Sequence, residues 1–359
     1  MRIGFDHQIF RLLRQGGISR CFADLIAGLP NAELDVRLTF RLHGNQHLRA
    51  PGLLRLPIQV FQLLGRLGLD PAPSEAWAPT VALGGLDLLH ATYYLGAAPP
   101  RGLPFPLVST LHDMTPERLP QLAPLGRGGH RVQKRAWLEA SDAIVAVSAS
   151  SAADLATLAP ALAGRTRVIH HGTRFFDLTP RPCPGVPAQP FHLFVGRRGG
   201  FKNTTALFEV LAALPQHLVL VGGGPLSRRE RHQMRQRGLQ GRVRTLNPDD
   251  AQLAWLYRHC RAVLVPSLAE GFSLPLIEAL ACDAPVLASD LAVHREIGGS
   301  FVELLDPQNP DQWRSALSSA GPLPRPSERL SRTQAAELSH HFSLERMVAD
   351  YRSFYRSLR

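Results

Sequence analysis

Lysine is almost missing from this chain. Of its forty basic residues only Lys134 and Lys202 are lysine, and arginine supplies the rest. Chemistry that needs a titratable amine, such as a Schiff base to a cofactor aldehyde, therefore has two candidate residues. Cysteine is scarce too. The four residues Cys21, Cys183, Cys260 and Cys282 lie far apart with no CxxC pair. That argues against a zinc ribbon and a disulfide framework and suits a reducing compartment, so a cytoplasmic protein is expected. No window of about eighteen apolar residues exists, so no transmembrane helix is expected. The opening "MRIGFDHQIF" carries Asp6 inside its first apolar run, unlike the unbroken apolar core of a signal peptide. Three sequence signatures are also absent: GxxxxGK[ST], GxGxxG and D-x-D, which removes the Walker loop, the dinucleotide fingerprint and a common clamp for metal-bound diphosphate.

What is present is a chain of 359 residues, long enough for two domains, with an ordinary 45% hydrophobic content. The formal net charge is +11, carried by arginines dispersed along the chain with no basic tail. Two explanations fit: an arginine-rich surface, or a polyanionic partner such as a phosphorylated substrate or an anionic membrane. No stacking motif or zinc finger supports nucleic acid.

Short apolar runs alternate with helical periodicity. In the first half "RIGFD" (2–6), "LDVRLTF" (34–40), "DLLHAT" (87–92), "PLVSTLHD" (106–113), "AIVAVS" (143–148) and "RVIHHG" (167–172) read as strands buried on both faces. "ISRCFADLIAGL" (18–29) reads as a helix. "DLTPRPCPGVPAQP" (177–190) holds too many prolines for a helix or a central strand and reads as a linker. Alternation resumes with "FHLFVG" (191–196), "HLVLVGGG" (217–224), "RVRTLN" (242–247), "AVLVPS" (262–267) and "APVLASD" (284–290). The expected fold is α/β, with two Rossmann-like domains facing a cleft. Residues 1–178 form the first, 179–190 the linker, 191–341 the second, and 342–359 an amphipathic helix returning to the first domain.

Two stretches carry most of the chemistry. "VGRRGGFKN" (195–203) is strand, glycine loop and helix start, with Arg197, Arg198 and Lys202 adding charge. Glycines allow close backbone approach and a helix N-terminus offers free N–H groups, so this is a diphosphate site in physical terms, or else a basic surface turn. In "PSLAEGFSLPLIEALACDAPVLASD" (266–290), Glu270 stands on a loop and Glu278 on the following helix at E-x7-E spacing. Carboxylates accept hydrogen bonds from hydroxyls, so a polyhydroxylated ligand suits the pair. The plainer readings are a helix-dipole residue and a solvated loop. Gly16 and Gly17 form a turn whose N–H groups could touch phosphate. His112 ends a strand where a site residue would sit. In "HLRAPGLLRLPIQVFQLLGRLG" (47–68), Arg49, Arg55 and Arg66 interleave with Leu53, Leu54, Ile58, Phe61 and Leu64, which suits either a core helix or an anionic membrane surface.

Taken in order, "GGISR", "HATYY", "LHDMTPE", "VSASSAADL", "VIHHG", "VGRRGGFKN", "VGGGP" and the E-x7-E stretch resemble the retaining GT-B glycosyltransferases of the family 4 type, over nearly the whole chain. His171 and Asp283 depart from the residues usual at their positions. The resemblance implies a hexosyltransferase using a nucleoside-diphosphate sugar, with no further cofactor and no metal. Arg197 and Lys202 would hold the donor diphosphate, Glu278 the ribose, and Glu270 the transferred sugar. Gly271, Phe272, Ser273 and Leu274 would line the same donor, Gly16 and Gly17 would approach its β-phosphate, and His112 would lie near the reacting carbon. "GRRGG-aromatic-KN" looks most like mannosyl- and rhamnosyl-type members that build bacterial surface polysaccharides. The expected donor is therefore GDP-mannose, and the acceptor a saccharide or lipid-linked glycan reached at the inner face of the membrane. Another GT-B reaction, such as sugar-nucleotide epimerisation, and a non-catalytic nucleotide-sugar-binding subunit are the competing readings.

Overall fold

The computed structural model describes residues 1–359 except 39, 41, 58, 62, 64–84, 100, 101, 123–127, 319–322 and 359. The chain forms two compact units. One comprises Met1–Arg118, Ala123–Gly172 and Leu344–Arg359, and the other Leu119–Leu122 and Thr173–Ser343.

The first unit is built on six parallel strands in the order β2-β1-β5-β6-β7-β8. They are β1 (Arg2–Phe5), β2 (Asp35–Leu38), β5 (Leu88–Ala91), β6 (Leu107–Leu111), β7 (Ala143–Ala146) and β8 (Thr166–Val168), while β3 (Leu42–His43) and β4 (Leu54–Arg55) make a separate parallel ribbon. Strands β5, β6 and β7 are buried at every position, which explains their near-continuous apolar sequence. Their side chains still alternate. Leu88, Val108 and Val145 join one core layer, and Leu89, Leu107 and Ile144 the other.

The closing helix, Leu344–Arg356, belongs to this unit. It buries Met347, Val348, Tyr351, Phe354 and Tyr355, worth on the order of 10 kcal/mol before the cost of ordering. Val348 lies so close to Gly28 that a Cβ there would sit 2.6 Å from a Val348 methyl. Arg352 donates to the Gly28 carbonyl at 2.6 Å, and the Tyr355 hydroxyl meets His90 Nδ1 at 2.6 Å.

The second unit has six parallel strands in the order β11-β10-β9-β12-β13-β14. These are β9 (Phe191–Val195), β10 (His217–Val221), β11 (Val243–Leu246), β12 (Val263–Val265), β13 (Val286–Ser289) and β14 (Glu303–Leu305). Strand order reverses between β9 and β12, so connections leave in opposite directions and a crevice opens at the carboxyl ends of those two strands. The proline-rich segment lies along this unit. Arg181 donates its N–H to the Ala251 carbonyl at 3.0 Å and pairs with Asp249. Three strands escaped the sequence reading: β3 and β4, two residues each, and β14, whose half-buried "ELL" has no clear period.

Candidate active site

The crevice of the second unit is lined by the two stretches that sequence singled out. Beyond β9 the chain runs through Gly196, Arg197, Arg198, Gly199 and a short 3-10 turn, Gly200–Lys202, into the helix Thr204–Ala212. Gly199 has φ +83°, a conformation that costs other residues dearly. The neighbouring turn after β10 needs glycine for a different reason. A Cβ on Gly222 would lie 2.9 Å from the Gly196 carbonyl oxygen, so the two strand-end loops touch backbone to backbone.

The two arginines of this loop divide their work. Arg198 is tied into the protein. Its guanidinium donates to Glu230 at 2.6 Å and to the carbonyls of Gly222, Gly223, Gly224 and Pro225. It fastens the "GGGP" turn to the loop after β9. Arg197 is exposed and makes no ion pair among the described residues, so its charge remains for a ligand.

Lys202 and Glu270 meet across the crevice although 68 residues separate them in sequence. Their side chains form an ion pair and are 19% and 7% exposed. The Ser267 hydroxyl donates to the same carboxylate oxygen, Oε1, at 2.7 Å, leaving Oε2 to accept from a hydroxyl. The two loops are joined by the Leu268 N–H, which donates to the Phe201 carbonyl at 2.7 Å. Lys202 is therefore not a lone point charge awaiting phosphates. It is oriented by the carboxylate expected to hold the sugar.

Glu270 leads through Gly271 and Phe272 to Ser273, which has φ +79° and precedes the helix Leu274–Ala281 with Pro275 in its first turn. In that left-handed conformation Ser273 does not cap the helix, and its buried hydroxyl has no hydrogen-bond partner. The first N–H groups are thus left uncapped by any side chain, as an anion-binding helix start requires. The Phe272 ring is buried edge-on to Phe342. Glu278 is buried on the second turn and accepts from the Tyr257 hydroxyl at 2.8 Å. His294 also adjoins this cluster. Its Nδ1 hydrogen donates to the Ser289 carbonyl at 2.7 Å and its Nε2 is buried without a partner. Burial lowers its pKa, against the pull of the Glu270 charge.

In the first unit the strand reversal falls between β1 and β5, and Asp6 and Thr92 stand at their ends. Asp6 accepts from the Gln8 amide at 2.6 Å, the Thr92 hydroxyl at 2.5 Å and two backbone N–H groups. Complete burial nevertheless raises its pKa to about 6, with the Thr92 and Gln8 hydrogen bonds opposing. Gly17 opens the helix Gly17–Gly28, with Gly16 extended before it and no side-chain cap. His112 is 7% exposed, stacked on Tyr93 and edge-on to Phe22, and neither ring nitrogen has a hydrogen-bond partner of good geometry. Burial, aided by the Lys134 and His130 charges, holds its pKa down at about 3. The imidazole is neutral, suited to exchange hydrogen bonds with a hydroxyl rather than to carry charge. Lys134 is structural, bonding the Asp113 carbonyl and Glu117.

The structure therefore brings Lys202, Glu270 and Ser267 into direct contact within the second unit, with Gly271, Ser273 and Leu274 on the loop that continues from Glu270. Sequence reading did not single out Ser267, Tyr257 or His294, although Ser267 lies within the E-x7-E stretch 266–290. Of the stretch 47–68, residues 58, 62 and 64–68, including Ile58, Leu64 and Arg66, lie outside the described residues, and Phe61 is buried. No helix of the described residues is long and apolar enough to cross a membrane.

Comparison with known proteins follows this division of the chain. Residues 15–174 match the family Glycosyltransferase Family 4, and residues 185–335 match Glycosyl transferases group 1. A D-inositol 3-phosphate glycosyltransferase of Xylanimonas cellulosilytica is 31% identical over 285 residues, covering 71% of this chain and 66% of that protein. For the Mycolicibacterium gilvum protein of the same name the match spans 58% of its length. Among solved structures, sucrose-phosphate synthase of Thermosynechococcus elongatus superposes with TM-score 0.72 at 21% identity, covering 99% of this chain and 98% of that one. HepE of Anabaena, solved with UDP and glucose, superposes with TM-score 0.69 at 20% identity over 100% of both chains. These likenesses show the GT-B fold.

Proposed function

The chain belongs to the group 1 glycosyltransferases, and from that premise we propose that it moves a hexosyl group from a nucleoside-diphosphate sugar to an acceptor hydroxyl with retention of configuration. The observation that carries the reading is the contact of Lys202 with Glu270 at the strand reversal of the second unit. One loop delivers cations where a diphosphate leaves, and the other delivers a carboxylate oxygen where a sugar hydroxyl sits. Arg197, Lys202 and the uncapped Leu274–Ala281 helix start neutralise charge that grows on the diphosphate as the C1–O bond breaks. Glu270 Oε2 accepts from the transferred sugar, and Glu278, fixed by Tyr257, from the ribose. His112 supplies a neutral hydrogen-bonding group for the sugar, and Gly16 and Gly17 supply backbone N–H groups for phosphate. The new C1–O bond forms on the face the diphosphate leaves, and the acceptor proton passes to a leaving phosphate oxygen. No protein nucleophile is needed.

Two donors are tested first. The glycine-aromatic-Lys-Asn loop suggested GDP-mannose, while HepE is solved with UDP and glucose. UDP-glucose and GDP-mannose are therefore the leading arms of the test, with a saccharide or lipid-linked glycan as acceptor and bacterial surface polysaccharide as the product class. Each nucleotide sugar is incubated with the protein, free nucleoside diphosphate is followed, and the anomeric configuration of any product is read by NMR. Diphosphate release from one donor, lost in Glu270→Gln, is expected. Tight nucleotide-sugar binding with no release from any donor would replace an enzyme with a binding subunit.

A further inference from the structure

The first unit holds a cavity of about 510 Å³ that the donor chemistry does not use. It is formed by the ribbon of β3 and β4 and the turn joining them, with His43, Gln46, Leu48, Arg49, Leu53 and Arg55 among its lining residues. No lining residue is acidic. Arg49 and Arg55 are exposed and have no carboxylate partner among the described residues. Elsewhere in the same unit Arg37, Arg118, Arg135 and Arg356 each pair with an Asp or Glu. Leaving two guanidinium groups unpaired around one hollow is the arrangement that planar, bidentate recognition of an anion requires.

The scaffold under this hollow is fixed. Strands β3 and β4 place His43 directly beside Arg55, and the Leu56 N–H donates to the His43 carbonyl at 2.8 Å. Asn45 is fully buried. Its amide donates to the Leu13 carbonyl at 2.6 Å, and its oxygen accepts from the N–H groups of His47 at 2.8 Å and Leu48 at 3.3 Å. The Asn45 N–H donates to His43 Nδ1 at 3.3 Å, so the neutral ring carries its proton on Nε2. The lining thus offers two guanidinium forks beside the neutral His43 ring, with Leu48 and Leu53 as apolar wall. That set suits a tetrahedral oxyanion attached to a carbon skeleton.

We propose that this cavity binds the phosphate group of a phosphate ester, separately from the donor diphosphate. The ester is carried either by a soluble sugar phosphate or by a lipid headgroup. The test uses the whole protein with UDP and GDP both in excess, so that the second unit's phosphate loop is occupied. Calorimetry with glucose 6-phosphate, against glucose, reads the soluble source. Co-sedimentation with phosphatidylglycerol vesicles, against phosphatidylcholine, reads the lipid source. Arg49 and Arg55 are exposed, so Arg49→Ala, Arg55→Ala and the double variant should melt like the parent. Each single change should weaken binding by about tenfold, the usual loss for one charge-assisted hydrogen-bonding partner. The double variant should abolish it, and the two Arg→Lys variants should recover part of it. Binding of glucose 6-phosphate assigns a soluble ester, and binding confined to the anionic vesicles assigns a headgroup. Absence of both, or binding undiminished in the double variant, overturns the proposal.

Discussion

Replacing Lys202 by alanine should damage stability and turnover for separate reasons, and the two can be pulled apart. Lys202 and Glu270 are 19% and 7% exposed, so the pair is largely withdrawn from water. Removing one partner from a buried pair costs about 3–5 kcal/mol, because the other charge stays buried and uncompensated. Here Ser267 still bonds the carboxylate and Lys202 keeps some solvent contact, so about 2–3 kcal/mol is the reasoned figure. At about 2–4 °C per kcal/mol for a domain of this size, the melting temperature should fall by roughly 5–10 °C. Turnover should fall further, since a preorganised cation at a leaving diphosphate is worth about 2–4 kcal/mol of the barrier. The stability half is tested by the double change, Lys202→Ala with Glu270→Ala. It removes both buried charges, so most of the lost melting temperature should return while kcat/KM for diphosphate release stays down. Lys202→Arg should recover only part of the activity, because a planar fork replaces a compact ammonium beside the same carboxylate. Thermal melts and donor-turnover assays on the four proteins decide this. If Lys202→Ala keeps the parental kcat/KM while its melting temperature falls, Lys202 serves the fold and not the diphosphate.

Arg198→Ala should lose about 3 kcal/mol of stability and most activity, because Glu230 and four carbonyls lose their shared donor. Arg198→Lys should rescue little, and a silent Arg198→Ala in melts and turnover would show that the "GGGP" turn holds without it. Acid should destabilise the protein early. Burial holds His90, His112 and His171 near pKa 3 and His7 and His192 near 4, below the unfolded value, so their contribution is complete above about pH 6.5 and lost as pH falls toward 3–4. Asp6, raised to about 6, opposes them between that pH and its unfolded value of 3.8. Each histidine is worth about 1.4 kcal/mol per pH unit, so tryptophan fluorescence should report acid unfolding near pH 5, and an unchanged melt from pH 7 to 4.5 would contradict it. Transfer should persist in EDTA, since Arg197 and Lys202 supply positive charge at the phosphate loop; activity abolished by EDTA and restored by Mg2+ would refute this.

Much of the fold was legible because parallel strands buried on both faces must be apolar along their length, and "LVSTL", "AIVA" and "HLVLV" are so. The loop chemistry was legible where it is local: Gly199 and Ser273 sit in left-handed conformations beside the strand ends that place them. What composition could not separate was Arg197 from Arg198. They are adjacent, identical and equally charged, and only the family resemblance assigned the diphosphate to Arg197 rather than Arg198. The difference comes from the turn after β10, where glycine at 222 lets the backbone come close to the Gly196 carbonyl and where Arg198 finds four carbonyls. That turn is about 25 residues away, and no periodicity links the two places. The same holds for the question of why lysine appears at 202 in a chain of arginines. The reason is 68 residues downstream, in a carboxylate that also takes a serine hydroxyl on the same oxygen. A compact ammonium can share that oxygen and leave Oε2 open, whereas a bidentate guanidinium would cover both oxygens of Glu270 and close the carboxylate to a sugar.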